Sequence, residues 1–172
     1  EMLSFSAASY NSKDVSANGN NYLTSLTLAD NGSVLASNYQ LPSMNLANAA
    51  ATINKALLTL SGTTASVTYN GQAQSNGFGA TSGTTLYAGD ITSVTGLATG
   101  TNVGAYSGAA QLSSAQGPGV SNYTITYGSG GSLTIGKATV SLSAISKTYD
   151  GTTGKGDTSL SITGVNGEML SF

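Results

Sequence analysis

The chain has 172 residues and a mass of 17.0 kDa, with 39% hydrophobic and only 7% charged residues and a formal net charge of -2. It contains no cysteine, histidine, tryptophan or arginine, which excludes disulfides and most nucleophile, acid–base and oxyanion arrangements. Five scattered lysines against seven acidic residues make a poor phosphate-binding surface, so nucleic acid is excluded as a partner.

In chain order, Tyr22, Leu26 and Leu28 separate Thr and Ser positions in the alternation of a half-buried strand. Asp30-Asn31-Gly32 reads as a hairpin turn rather than a calcium loop, because Asp14, Asp30, Asp90, Asp150 and Asp157 are scattered without ligand spacing. Leu46 to Leu58, rich in Ala and Asn, reads as a loop followed by a terminal strand, with a short helix as the alternative. Its polar interruptions rule out a membrane span. Tyr123, Ile125 and Tyr127 alternate with Asn122, Thr124 and Thr126, and Val140, Leu142 and Ala144 alternate with serines. Asn-Gly at Asn18, Asn31, Asn70, Asn76 and Asn166, and Asp-Gly at Asp150, supply hairpin turns between these runs. Strand-like runs with turns every 8 to 12 residues predict an all-β, Ig-like antiparallel β-sandwich architecture. A β-grasp fold is the alternative, and it needs a longer helix than the sequence offers.

Glu1-Met2-Leu3-Ser4-Phe5 recurs as Glu168-Met169-Leu170-Ser171-Phe172, a displacement of 167 residues. An identical pentapeptide at this spacing marks one period of a tandem array. Inside the period a weaker repeat is visible. Ser37-Asn38-Tyr39 matches Ser121-Asn122-Tyr123, and Thr52 to Ala56 matches Thr134 to Ala138. Thr68-Tyr69-Asn70-Gly71 matches Thr148-Tyr149-Asp150-Gly151, and Val94 to Leu97 matches Ile162 to Val165. Landmarks in one order with drifting spacing indicate two homologous modules that differ in loop length. The period therefore divides into a complete module at 57–138 and a second module split in two. Its back part is 1–56 and its front part is 139–172, with 168–172 repeating 1–5. Unless 139–167 folds back onto 1–56, each part needs a neighbouring copy to complete it.

Lys147-Thr148-Tyr149-Asp150-Gly151, Ile162-Thr163-Gly164, Ser37-Asn38-Tyr39 and the Thr52 to Ala56 run together resemble the bacterial YDG repeat family. The complete module resembles the related MBG family through Val67 to Gln72, Val103 to Tyr106, Ser121 to Tyr127 and Ser132 to Ala138. The one departure is Asn70 where the motif has Asp, which leaves the turn chemistry intact. The resemblance implies large secreted, filamentous-haemagglutinin-like adhesins of the bacterial cell surface, with the repeats forming the stalk and no catalytic residues, cofactors or metals to carry over.

The residues singled out have structural readings. Tyr69-Asn70-Gly71 and Tyr149-Asp150-Gly151 read as a core-facing tyrosine followed by a turn. Tyr39 and Tyr123 read as tyrosine corners, each phenol bonding a nearby backbone carbonyl. Ser12-Lys13 and Ser146-Lys147 point to opposite faces of a strand and make no dyad. The sequons at Asn31 and Asn122 are common by chance in a chain this rich in Asn, Ser and Thr, and a Lys–Asn cross-link at Lys55 or Lys137 has no distinguishing motif. The function expected is a non-enzymatic spacer in an extracellular fibre or adhesin stalk, partnered end to end by copies of itself, including by strand complementation. The alternative is a carbohydrate- or protein-binding surface module, which requires exposed tyrosines or a groove on one face.

Overall fold

A computed structural model describes residues 3–83, 85–142, 146–154 and 162–170. Strands make up 42% of the structure and are organised in several small sheets with one helix, an all-β fold. The strands are β1 (Ser4–Tyr10), β2 (Leu23–Ala29), β3 (Ala56–Gly62), β4 (Thr64–Thr68), β5 (Gln74–Ser75), β6 (Phe78–Gly83), β7 (Ser93–Thr95) and β8 (Thr99–Gly100). They continue as β9 (Gly104–Ser107), β10 (Ser113–Gln116), β11 (Tyr123–Tyr127), β12 (Ser132–Gly136), β13 (Ser141–Leu142), β14 (Ile162–Thr163) and β15 (Met169–Leu170). The sheets run β1-β2, β10-β7, β11-β3-β6, β4-β12-β9, β13-β14-β15 and β5-β8.

The chain divides into two compact units: residues 1–59, 80–93 and 115–126 form one, and residues 60–79, 94–114 and 127–172 form the other. In the first, β1 and β2 pair antiparallel with register shifts between Phe5 and Ala7 and between Ser9 and Tyr10. Leu58, Ile91, Ala115 and Tyr123 are its buried hydrophobic side chains. In the second, the organising strand is β12. It pairs in parallel with β4 (Leu133 with Ala65, Ile135 with Val67) and antiparallel with β9 (Leu133 with Tyr106). Leu133, Ile135 and Ala98 are buried there, and Ala65, Val67, Tyr69 and Tyr106 pack against them. The period-two alternation of β12 is the cause: Leu133 and Ile135 face inward while Thr134 and Gly136 face out.

Asn76 holds this second unit together. Its amide nitrogen donates to the carbonyls of Thr63 and Gly130, and its Oδ1 accepts from the Ala98 N–H at 2.8 Å. Asn76-Gly77 reads in the sequence as a turn, yet Asn76 is buried and its side chain bonds three loop backbones, sharing the Thr63 carbonyl with the Ser132 N–H. The glycine run at 128–131 has a related cause. A Cβ on Gly130 would collide with the Gly96 carbonyl and the Gly108 and Ala109 backbones.

The Leu46 to Leu58 stretch resolves differently from the strand reading. One turn of helix, α1 (Leu46–Ala49), is capped by Asn45, whose side chain accepts from Ala47, with Asn48 reaching back in a capping box. β3 begins only at Ala56. Residues 52–55, expected to carry the terminal strand, have no ladder. The side chain of Asn18 stands in for one, accepting from Ile53 N–H at 2.9 Å and donating to Ile53 C=O at 2.8 Å.

Among the described residues, all nine buried hydrophobic side chains lie between Leu58 and Ile135. Ten of the thirteen exposed large hydrophobic residues lie outside 57–138.

Candidate functional site

The two Tyr-Asx-Gly motifs form the same local turn. Asn70 Oδ1 accepts from the Gln72 N–H, and Asp150 Oδ1 accepts from the Thr152 N–H, each at 2.9 Å. Gly71 and Gly151 both have φ of +73°, a left-handed conformation that costs other residues roughly 1–2 kcal/mol. Short side chains that bond the backbone two residues on are what makes Asn and Asp interchangeable here.

The tyrosines before these turns differ. Tyr69 packs against the Leu133–Ile135 core and donates its phenol proton to Glu168 Oε1 at 2.6 Å. Asn166 Nδ2 donates to the Asn70 carbonyl at 2.7 Å, so the tail segment grips the turn at two points. Hydrogen bonding to Glu168, desolvation and the nearby negative charge together raise the Tyr69 phenol above its ordinary pKa. Tyr149 is 93% exposed, where a core-facing ring is the sequence reading. Its turn is stabilised from within instead. Lys147 Nζ lies 2.8 Å from Asp150 Oδ1 and donates to the carbonyls of Thr152 and Gly154 at 2.9 and 2.6 Å. That ammonium, followed by the Thr152 N–H and hydroxyl, holds the Asp150 carboxyl below its usual range.

Tyr39 and Tyr123 each follow a single turn of 3-10 helix, Ala36–Asn38 and Val120–Asn122. Tyr123 is buried, but its partner is not the backbone carbonyl of a tyrosine corner. Its hydroxyl donates to Asp90 Oδ2 at 2.7 Å and accepts from the Tyr87 N–H. Desolvation and the Asp90 bond raise its pKa. The carboxylate partner lies 33 residues away in sequence, so no local motif announces it.

These groups border a cleft of about 660 Å³ within the first unit, lined by Lys13, Ile53, Tyr87, Asp90, Asn122 and Tyr123 among others. One wall is a polar knot. Asn122 Oδ1 accepts from the Val15 N–H and its amide donates to Asp14 Oδ1, both at 2.8 Å, and Asp14 also pairs with Lys13 at 3.0 Å. The Asn122 and Lys13 bonds lower the Asp14 carboxyl pKa. Tyr87 and Tyr10 are exposed, in contrast to the uniformly buried tyrosines expected of a plain spacer. Chemically the cleft offers an exposed phenol ring, one carboxylate, two amides and an ammonium, a set that hydrogen-bonds and stacks.

No group of three or more His, Cys, Asp or Glu side chains occurs among the described residues. No described helix is long and apolar enough to cross a membrane. No family model, curated protein or solved structure matches the chain.

Proposed function

We propose that this chain is a structural repeat unit of a long extracellular bacterial fibre or adhesin stalk, related to the YDG and MBG repeats that its motifs resemble. It acts as a non-enzymatic spacer, with neighbouring copies of itself as its partners. The observation that carries this reading is the recurrence of Glu1 to Phe5 at Glu168 to Phe172, combined with the internal two-module repeat. Two Ig-like sandwich modules per period, with strands at about 3.3 Å rise per residue, would each span roughly 25 to 40 Å. The work of such a unit is mechanical: its length multiplied by the copy number sets how far a distal domain is projected. A hydroxyl- and amide-rich surface with 7% charge keeps the array hydrated without strong self-repulsion. Immunoblotting of the native polypeptide on a denaturing gel tests the reading. A mass many times 17.0 kDa is expected, and a lone species near that mass contradicts it.

A second reading is favoured by the cleft that exposed Tyr87 shares with Asp90 and Asn122. It makes the unit a surface module that binds a neutral glycan, with Tyr87 stacking on a sugar face. A glycan array on the purified chain and its Tyr87→Ala variant separates the two. Binding lost in the variant supports this module, and an empty array leaves the spacer.

A further inference from the structure

The complete module provides a template for the split one. Matching Lys55-Ala56 with Lys137-Ala138 aligns Leu58 and Leu60 with Val140 and Leu142. Leu58 and Leu60 are 2% and 0% exposed, whereas Val140 and Leu142 are 38% and 64% exposed. The same holds for Tyr123 at 5% against its counterpart Tyr39 at 45%, and for Tyr69 in the core against exposed Tyr149. Leu58, Leu60, Tyr69 and Tyr123 thus pack into a core within 57–138, while their counterparts Val140, Leu142, Tyr149 and Tyr39 are exposed.

The strand ladder shows what is missing. In the complete module β4 and β12 pair in parallel: Ser66 with Thr134, Val67 with Ile135, Thr68 with Gly136. The Tyr69 N–H donates to the Gly136 carbonyl at 2.9 Å beyond the end of that ladder. The counterpart of Ser66 to Thr68 in β4 is 146–148, and the counterpart of Thr134 to Gly136 is 52–54. Neither segment belongs to a strand in this chain. The edges also agree. Peptide groups of an extended strand point alternately to its two sides, and Gly136 addresses β4. Ile53 spends its backbone groups on Asn18, so Asn54, the counterpart of Gly136, addresses the opposite edge, and among the described residues no ladder includes it.

We infer that residues 146–149 of one copy pair in parallel with residues 52–54 of the following copy, Lys147 opposite Ile53 and Thr148 opposite Asn54. The Tyr149 N–H then donates to the Asn54 carbonyl, and its ring packs on Ile53 as Tyr69 packs on Ile135. This assignment deepens the array reading and rests on it, because the two segments come from successive periods. The joint between copies is a shared strand ladder rather than a flexible linker, and the occupant of the exposed Tyr149 face is a second copy of this chain.

The test is a two-period chain, residues 1–167 continued by a second copy of 1–172, with Thr148→Cys in the first copy and Asn54→Cys in the second. The native sequence has no cysteine, so no other thiol interferes. Paired strands lie about 4.8 Å apart, inside the separation a disulfide spans. Oxidation is expected about a hundredfold faster than for a control pair of Thr148→Cys with Asn38→Cys, from the higher effective concentration. It is also expected to be slow when Thr148→Cys and Asn54→Cys share a single-period chain. As a second variant, Tyr149→Ser in the first copy should lower the melting temperature of the two-period chain and leave that of the single period unchanged. Unreactive thiols at the junction, with both 57–138 segments still protected from hydrogen exchange, overturn the pairing and leave the array standing. A fast disulfide supports the pairing, and a native polypeptide of one-period mass would then remove only the array.

Discussion

Two buried asparagines mark the difference between the regions of this molecule. Asn76, inside 57–138, donates both amide hydrogens to loop carbonyls and accepts a loop N–H at its Oδ1. Asn21, in 1–56, is fully buried, and neither of its amide atoms has a partner among the described residues. A buried amide is normally satisfied, because leaving it unpaired costs about 1–3 kcal/mol. Among the described residues the hydrophobic ones divide the same way, with every buried one in the first region and most of the large exposed ones in the flanks. Residues 57–138 thus hold a buried core, while the large hydrophobic residues described on either side are mostly exposed. The lesson is that burial and hydrogen-bond satisfaction go together: where apolar residues gather, the buried amide among them is also paired.

The largest effect that would break this comparison concerns the matched leucines. Leu60→Ala should destabilise the chain by about 2–5 kcal/mol in urea titration, while exposed Leu142→Ala should stay within about 0.5 kcal/mol. Equal losses would remove the distinction. Next, Asn76→Ala strips the Gly130 carbonyl and the Ala98 N–H of their partner and leaves the Thr63 carbonyl to Ser132, and a cost of about 1–3 kcal/mol is expected. Asn21→Leu should instead be neutral or stabilising, since it deletes two unpaired polar atoms at similar volume; a loss as large as that of Asn76→Ala would show that Asn21 is satisfied in solution.

Tyr123→Phe gives a smaller signal, about 1 kcal/mol, because one hydrogen bond to Asp90 is lost. It also carries a pH signature. The folded phenol has a raised pKa, so its contribution is fully present below the ordinary tyrosine value near 10 and fades as pH rises through the folded value. Alkaline unfolding curves of wild type and Tyr123→Phe should therefore converge at high pH, and parallel curves would contradict the assignment. The smallest effect is at the acid end. Asp14 and Asp150 have lowered folded pKa values, so their contributions are present above the ordinary carboxylate range and disappear as pH falls through the folded values. Both groups are exposed, so salt should mask much of this acid dependence; full persistence at high ionic strength would argue for a buried pair.

Much of the fold was legible because its signals are local. The alternation at Tyr123 to Tyr127 became β11, and five of the six Asx-Gly steps place glycine at positive φ. Asn166-Gly167, the one step with both residues at positive φ, closes the β14–β15 hairpin. The exception, Asn76-Gly77, was not legible because the bonds that define Asn76 reach as far as Gly130. Tyr123 escaped for the same reason, its acceptor being remote in sequence. The readings at Thr52 to Lys55 and Tyr149 departed from the structure for another cause. Both readings are drawn from the sequence match to 57–138, and a strand forms only where its partner is present; neither segment belongs to a ladder.

Hydrogen exchange on the two-period chain tests the central claim most directly. Residues 139–167 of the first copy and 1–56 of the second should gain protection approaching that of 57–138, while the same segments at the outer ends keep the single-period rates. Inner and outer segments exchanging alike would contradict the account.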